Sequence, residues 1–216
     1  MMKIKNKKKY LRRYTSLFSL LDILENKRIT FLNPENWDDK NDYYFINKYR
    51  DKSNYKSVLV LCFTERGERY HHWKVFTEGS SGVCIVFKRD ELIKQLSYDE
   101  NIIYGSVKYK KIKELENDIN IEEIPFIKRI QFKDEKEFRI IYKAKYEDIK
   151  YKHFNIDYEC IEKIVLNPWL PDKLIQTLRK IIKKIGDKSI KVHKTTLINN
   201  EKWKSTLDKA DFMNSQ

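Results

Sequence analysis

Two glutamates and an arginine occupy alternate positions in residues 134–139. If they lie in a strand, Glu135, Glu137 and Arg139 share one face, because side chains alternate between the two faces of a strand. The two carboxylates would repel, and Arg139 would hold one of them while the other accepts a hydrogen bond from a substrate hydroxyl. The alternative is a charged strand edge exposed to solvent. This segment is our candidate catalytic centre.

The pair of histidines at His71 and His72, followed by Trp73, forms a second candidate for ligand binding. The segment is predicted to be a short helix, and adjacent histidines on a helix point in different directions. The two histidines are therefore poorly placed to ligate the same ion. We expect His72 and Trp73 to pack partly into the core and partly along a cleft.

Three aspartates, Asp38, Asp39 and Asp42, could bind a divalent cation, but no glycine-containing calcium-loop pattern surrounds them. The three cysteines are far apart and lack the spacing of metal ligands, so no metal site is predicted. Metal-dependent cleavage of nucleic acid by Asp38, Asp39 and the glutamate pair remains open as a further alternative. The sequence has no glycine-rich phosphate loop and no Gly-x-Ser-x-Gly turn, which argues against kinases, NTPases and serine hydrolases.

The elements that must position these residues can be predicted from apolar patterns. Continuous apolar runs at 58–63 and 83–87 indicate strands buried on both faces. Ser16 is a suitable cap for a helix over 17–24, and the most regular helix follows Pro171 and ends at Gly186. Residues 35–44 are predicted to form a loop and residues 110–130 to be mostly helical. About seven strands with irregularly interspersed helices predict the α+β class.

Composition and charge limit the kind of protein. The chain has 216 residues and a formal net charge of +13. One compact domain over residues 10–200 is expected, with a basic N-terminal extension over 1–9 and a polar tail over 201–216. We predict a cytoplasmic protein, because the sequence has no apolar stretch of membrane-spanning length and no signal-peptide core, and its cysteines suit a reducing compartment. The positive charge is compatible with a nucleic-acid partner or with lysine-rich composition alone.

Several segments together resemble one protein family. In chain order they are Arg13-Tyr14-Thr15-Ser16, Trp37-Asp38-Asp39-Lys40-Asn41-Asp42, Phe63-Thr64-Glu65, His72-Trp73, Gly82-Val83-Cys84-Ile85-Val86-Phe87, Asp134-Glu135-Lys136-Glu137-Phe138-Arg139 and Asn167-Pro168-Trp169. Their order and spacing are similar to an uncharacterised bacterial and phage family, domain of unknown function twenty-nine seventy-one. The resemblance extends over nearly the whole chain. Asp38-Asp39-Lys40 replaces the Asn-Asp-Pro that is familiar in the acidic loop of that family.

The N-terminal pattern is a strand with Arg13-Tyr14-Thr15, a helix ending at Asn26 and a strand over 28–32. It more distantly resembles the opening of ADP-ribosyltransferase domains, which implies a central, mostly antiparallel split sheet with flanking helices. In such domains an early strand carries His or Arg, a middle strand a hydroxyl and a late strand a glutamate, and these surround NAD. The resemblance implies that Arg13 holds NAD, that Thr64 supplies the hydroxyl and that Glu137 is catalytic, with Glu135 and Arg139 as its supports. Tyr14, Thr15, His72 and Trp73 complete the expected NAD-binding set. The middle motif departs from the family, because it has one hydroxyl residue, Thr64, in place of a Ser-Thr-Ser run.

These observations predict an NAD-dependent ADP-ribosyltransferase or NAD glycohydrolase, with NAD as substrate, acting as an intracellular toxin or anti-phage defence effector. The expected partners are NAD, a nucleic-acid or protein acceptor and a neutralising protein, but no membrane. The alternative is a non-catalytic module that binds nucleic acid or nucleotides through its basic surface and Trp37, Trp73 and Trp169.

Overall fold

The structure is a computed structural model that describes residues 9–115 and 119–210. The described residues form eleven strands and six α-helices. The strands are β1 (Tyr10–Ser16), β2 (Arg28–Leu32), β3 (Ser57–Thr64), β4 (Gly82–Lys88), β5 (Ile102–Ser106), β6 (Lys108–Lys110), β7 (Ile127–Arg129), β8 (Glu137–Ala144), β9 (Tyr151–Asn155), β10 (Ile161–Leu166) and β11 (Lys191–Lys194). The helices are α1 (Leu17–Asn26), α2 (Lys40–Lys52), α3 (Tyr70–Phe76), α4 (Arg89–Leu96), α5 (Asp172–Ile185) and α6 (Glu201–Asp208).

Nine of the strands form one split sheet. The order β11-β10-β4-β1 makes one half, while β3, β8 and β5 pair in a second half, with β2 and β9 beside β3. All of these pairings are antiparallel except that of β10 with β11. β6 and β7 form a separate parallel pair. The predicted α+β class and the mostly antiparallel split sheet with flanking helices are therefore confirmed.

The two halves of the sheet meet along the N-terminal strand. β3 pairs with β8 over its whole length, from Ser57 opposite Ala144 to Thr64 opposite Glu137. Its other edge pairs with β1 at a single position, where Arg12 lies opposite Thr64. β1 then follows β4 over seven residue pairs. A cleft can open where β1 and β3 diverge, and Thr64 lies at that point.

Local sequence signals account for much of this order. β3 and β4 are the two continuous apolar runs, and all but one residue of each is buried, as expected for central strands. Ser16 caps α1 by accepting a hydrogen bond from the backbone N–H of Ser19. α5 ends at Gly186, as predicted.

Two predictions about secondary structure were wrong. Residues 35–44 were predicted to be a loop, but they contain a 3-10 turn (Pro34–Asn36) and the start of α2, whose first backbone N–H groups are capped by the Asp39 side chain. Residues 110–130 were predicted to be mostly helical. Residues 116–118 of this range lie outside the described residues; residues 110–115 and 119–130 contain 3-10 turns and the strand β7. Pro125, which lacks a backbone N–H, disfavours an α-helix in the second of these parts.

The predicted division of the chain remains a prediction at its ends. Residues 1–8 of the predicted extension and residues 211–216 of the predicted tail lie outside the described residues. The intervening part of that tail contains α6. No helix in the described ranges is long and apolar enough to cross a membrane.

Candidate active site

The late strand β8 carries a buried ion pair at its start. Arg139 is 0% exposed and Glu137 is 6% exposed. Arg139 donates from Nε to Oε1 of Glu137 at 2.8 Å and from Nη2 to Oε2 at 2.9 Å, which is a two-point grip on one carboxylate. Arg139 also donates to Oδ2 of Asp42 at 2.5 Å and to the carbonyl oxygen of Pro125 at 2.9 Å. Arg139 therefore fixes both carboxylates in place.

Lys128, on β7, is a second cation in this cluster. Its Nζ lies 2.7 Å from Glu135, 3.3 Å from Glu137 and 3.4 Å from Asp42. Glu135 is not in β8, because Lys136 adopts a left-handed conformation (φ 44°) and the strand begins at Glu137. The two glutamates are thus brought together by Lys128 rather than by the alternation of a single strand.

The protonation preferences of the cluster differ from residue to residue. Burial by itself would raise the pKa of Glu137, but the charge and hydrogen bonds of Arg139 outweigh it and lower the pKa to about 2. Burial raises the pKa of Asp42, and the charge of Arg139 offsets this rise only in part. Burial likewise raises the pKa of Glu135, and the charge of Lys128 offsets that rise only in part. Glu137 therefore stays ionised across the physiological pH range.

A cavity of about 440 Å³ lies in front of this cluster, at the divergence of β1 and β3. It is lined by Arg13 and Tyr14 from β1, Thr64 from β3, and Glu137. Glu135 also reaches it. Residues from one early, one middle and one late strand therefore meet around one space, whose size is in the range of small-molecule sites.

Aromatic side chains form the walls of this cavity. Trp37 precedes α2 and lies 5.3 Å from the Arg139 guanidinium, measured to the ring centroid, and Phe132 lies 4.7 Å from Nζ of Lys128. Such contacts between cations and ring faces help to hold both aromatic rings in position. The cavity thus combines apolar walls with an ionised floor.

The arginines of β1 retain unused donors. Arg13 donates to the carbonyl oxygen of Cys62 at 3.0 Å, and Arg12 to that of Arg66 at 2.9 Å. Neither forms an ion pair with a carboxylate in residues 9–115 or 119–210. Both line the cavity, so guanidinium charge is available there for an anion such as phosphate.

Thr64 is already hydrogen-bonded within the protein. Its Oγ1 donates to the carbonyl oxygen of Glu135 at 2.5 Å and accepts from the backbone N–H of Arg66 at 3.0 Å. The side chain therefore anchors the turn that carries Glu135. A ligand can use only its remaining acceptor capacity.

The other predicted site residues do not line the cavity. His72 and Trp73 are 0% and 1% exposed, and both pack edge-on against Tyr14, at ring-centroid distances of 5.5 and 5.0 Å. Thr15, His72, Trp73 and Arg139 are not among the lining residues. They reach a ligand only through neighbours: His72 and Trp73 by positioning Tyr14, and Arg139 by holding Glu137. Their roles in binding and catalysis remain predictions.

Three residues at the site were not predicted from the sequence to bind NAD or to take part in catalysis. Arg12 lies in register with Thr64 and lines the cavity. Asp42 was considered only as a metal ligand, yet it is 4% exposed and paired with Arg139. Lys128 had no signal, since one lysine in a lysine-rich segment has no distinguishing neighbours. Asp42 offered a weak signal, as an aspartate three residues after the helix-capping Asp39.

Metal ligation was also considered for the aspartates near α2. Within the described ranges, no group of three or more His, Cys, Asp or Glu side chains is arranged to hold a metal ion. One carboxylate oxygen of Asp39 accepts hydrogen bonds from the first backbone N–H groups of α2, and one oxygen of Asp42 accepts a hydrogen bond from Arg139.

Comparison with known proteins gives one family match and three structural neighbours. A family model described as protein of unknown function (DUF2971) matches residues 72–140, and over this part of the chain it confirms the resemblance to that family. No curated protein is significantly similar in sequence. The structural neighbours include DarT from Thermus sp. 2.9 in complex with ADP-ribosylated ssDNA, at 12% identity and a TM-score of 0.44, covering 90% of this chain and 98% of that chain. The same DarT in complex with carba-NAD+ has 12% identity and a TM-score of 0.45, with 89% and 98% covered.

Proposed function

We propose that the chain is an NAD-consuming enzyme, an ADP-ribosyltransferase or NAD glycohydrolase, whose catalytic carboxylate is Glu137. The observation that carries the proposal is the convergence of Arg13, Thr64 and Glu137 on one cavity from three strands. This trio was expected from the resemblance to ADP-ribosyltransferase domains, in which the corresponding positions surround NAD.

The cavity has groups for each part of NAD. Arg12 and Arg13 offer guanidinium donors to the pyrophosphate, and the ring faces of Trp37 and Phe132 offer stacking surfaces. Tyr14 also lines the cavity, and its phenol stays protonated because burial raises its pKa.

The reaction needs a fixed negative charge beside the ribose. When the bond between the ribose C1′ and the nicotinamide nitrogen breaks, its electron pair leaves with nicotinamide and the ribose becomes a cation resembling an oxocarbenium ion. An ionised carboxylate that is already oriented stabilises this cation without reorganisation. Glu137 meets both requirements, because Arg139 orients it and keeps its pKa at about 2. Water or an acceptor then attacks C1′.

Release of nicotinamide tests this proposal. We expect purified protein with NAD and cell extract to release nicotinamide, and Glu137→Gln to lower kcat by at least about 100-fold, the range expected for loss of a preorganised electrostatic group. NAD affinity should change much less, since the arginines and aromatic walls are intact. Equal release by Glu137→Gln and the wild type would refute the assignment.

Two comparisons make this result specific. Glu162→Gln, on β10 and in an ion pair with Lys191 outside the cavity, is the matched control and should leave nicotinamide release unchanged. Arg13→Gln should raise the KM for NAD more than it lowers kcat, because its proposed contact is with the pyrophosphate in both the ground and transition states.

We also propose that this activity serves as an intracellular toxin or anti-phage effector and that a neutralising protein restrains it. Expression of the wild type in bacteria should then slow growth and either lower cellular NAD or label a cellular acceptor, and Glu137→Gln should do neither. Normal growth with active, soluble wild-type protein would remove the toxin role while leaving the enzyme activity.

A second candidate function is binding of nucleic acid without catalysis. A basic cavity beside the site favours it, with Lys110, Lys111, Lys113 and Arg129 among its lining residues. Trp73 is 1% exposed and is not available for base stacking, which leaves Trp37 and Trp169 of the three tryptophans considered. Affinity that falls steeply with salt, without nicotinamide release, would favour this function.

A further inference from the structure

A second cavity, of about 510 Å³, lies on the other side of the buried charge cluster. It shares three lining residues, Asp39, Asp42 and Lys128, with the cavity that holds Glu137. The remaining lining includes strand β7, the 3-10 segment around Ile112 and the first turns of α2. The two spaces, each large enough for a small molecule, therefore adjoin at these three charged side chains.

The charge of this second cavity is strongly positive. Lys110, Lys111, Lys113 and Arg129 line it together with Lys128, against the carboxylates of Asp39 and Asp42. None of the first four forms an ion pair with a carboxylate among the residues that the structure describes. Lysine and arginine charges that are not neutralised within the protein attract phosphate oxygens.

Asp42 is the residue through which the two spaces communicate. It is 4% exposed and stands in the first turn of α2, where the helix dipole stabilises a carboxylate. Its Oδ2 accepts from Arg139, but its Oδ1 is buried and has no hydrogen-bond partner in the described residues. A buried carboxylate oxygen without a donor is costly unless a ligand supplies one.

We propose that the second cavity is the acceptor site of the proposed transfer reaction, that it takes a phosphate-bearing acceptor, and that Asp42 removes the proton from the acceptor's attacking group. This inference rests on the proposed function. The C1′–nicotinamide bond breaks and its electron pair leaves with nicotinamide. A lone pair of the acceptor's hydroxyl or amino group forms the new bond to C1′, and the proton of that group passes to Oδ1 of Asp42.

Glu137 and Asp42 then act in different steps of the reaction. Glu137 is held ionised and faces the ribose, whereas burial raises the pKa of Asp42, so that it binds a proton more readily. Neighbouring carboxylates whose environments push their pKa values apart are suited to different steps of one reaction. Lys128 contacts both and balances the charge between them.

The test follows nicotinamide release and transfer of label from adenine-labelled NAD in the same reaction. The probes are a mixture of nucleoside monophosphates and mixed-sequence single-stranded DNA and RNA oligonucleotides, which separate free phosphate groups from a nucleic-acid strand as the source. Transfer to at least one probe is expected. Lys111→Glu/Lys113→Glu should raise the KM for that probe at least tenfold and leave kcat within twofold.

A matched charge change elsewhere serves as the control. Lys180→Glu/Lys183→Glu alters two exposed lysines of α5, away from both cavities, and should leave the KM unchanged. Asp42→Asn should lower label transfer at least tenfold more than it lowers nicotinamide release, while the KM for NAD stays within threefold. A merely structural role would lower transfer and release by the same factor.

Three further results overturn the inference. Nicotinamide release with label on no phosphate-bearing probe, or on protein only, refutes the acceptor class and leaves the proposed function standing. An equal KM in the lysine variant and its control refutes the location of the acceptor site. Absence of nicotinamide release from the wild type refutes the proposed function, and this inference with it.

Discussion

Replacing Glu137 by glutamine removes one charge from the buried cluster with almost no change in side-chain volume. The glutamine oxygen can still accept one hydrogen bond from Arg139. Its amide group, however, faces Nη2 of Arg139 and Nζ of Lys128, which are donors that it cannot accept. Arg139 loses half of its two-point partner while remaining 0% exposed.

The size of the effect can be worked from the pKa. A fall from 4.5 to about 2 on folding corresponds to roughly 3 kcal/mol of stability at neutral pH, at about 1.4 kcal/mol for each pKa unit. This agrees with the roughly 3–5 kcal/mol lost when one partner of a buried ion pair is removed. Because the folded-state pKa is lowered, the contribution is present above the unfolded-state pKa of 4.5 and is lost as the pH falls through about 2. We expect the difference from wild type to shrink from about 3 kcal/mol at pH 7 to about 1 kcal/mol at pH 3.

Urea unfolding followed by tryptophan fluorescence at pH 7, 5 and 3 measures this difference. Glu123→Gln is the control, because Glu123 pairs with Lys108 at 2.7 Å with both side chains largely exposed. It should leave the unfolding free energy close to that of the wild type, because an exposed ion pair contributes little. A Glu137→Gln difference below about 1 kcal/mol at pH 7, or one that is equal at pH 7 and pH 3, would refute the charge-cluster argument.

Three further predictions concern other parts of the site and sheet. His72→Phe should make the protein more resistant to acid between pH 6.5 and 4, because burial lowers the pKa of His72 to about 4 and stability is lost as the pH falls through that window; urea midpoints at pH 7 and 5 check this. Arg139→Lys should lower the unfolding free energy by about 3 kcal/mol, since one ammonium group cannot reproduce the fork of donors, and an unchanged thermal midpoint would contradict it. Gly82→Ala should destabilise by roughly 1–3 kcal/mol, because the new Cβ would lie 2.1 Å from Cβ of Thr77, and Gly82→Ala/Thr77→Gly should recover part of the loss in the same thermal assay.

The sequence was informative wherever a signal is local. β3 and β4 are apolar throughout, and the serine cap of α1 and the glycine end of α5 are short-range features. The split of the sheet and the convergence of Arg13, Thr64 and Glu137 were expected only through the resemblance to known domains. Periodicity alone does not say which strands become neighbours.

The remaining features depend on contacts between distant parts of the chain. Asp42 and Arg139 are 97 positions apart, and no local pattern links them. The acidic segment was taken for a loop because aspartate and asparagine favour both turns and helix N-caps, and here Asp39 acts as a cap. Lys128 acquires its role only when β7 folds beside Glu135 and α2.

The single pairing between β1 and β3 also has a consequence for how such a chain can change. Each strand pairs along its length with its other neighbour, β1 with β4 and β3 with β8. Between β1 and β3 the backbone pairs only where Arg12 lies opposite Thr64, and the Arg13 side chain adds a hydrogen bond to the carbonyl oxygen of Cys62. The two pairs of strands, β1 with β4 and β3 with β8, therefore meet at one junction, and the cavity lies beside it. The separation of the cavity walls therefore depends on the few side chains at this junction, Arg12, Arg13 and Thr64. Substitutions at that junction are therefore a direct way for evolution to widen or narrow the cleft while the packing within each pair of strands is preserved.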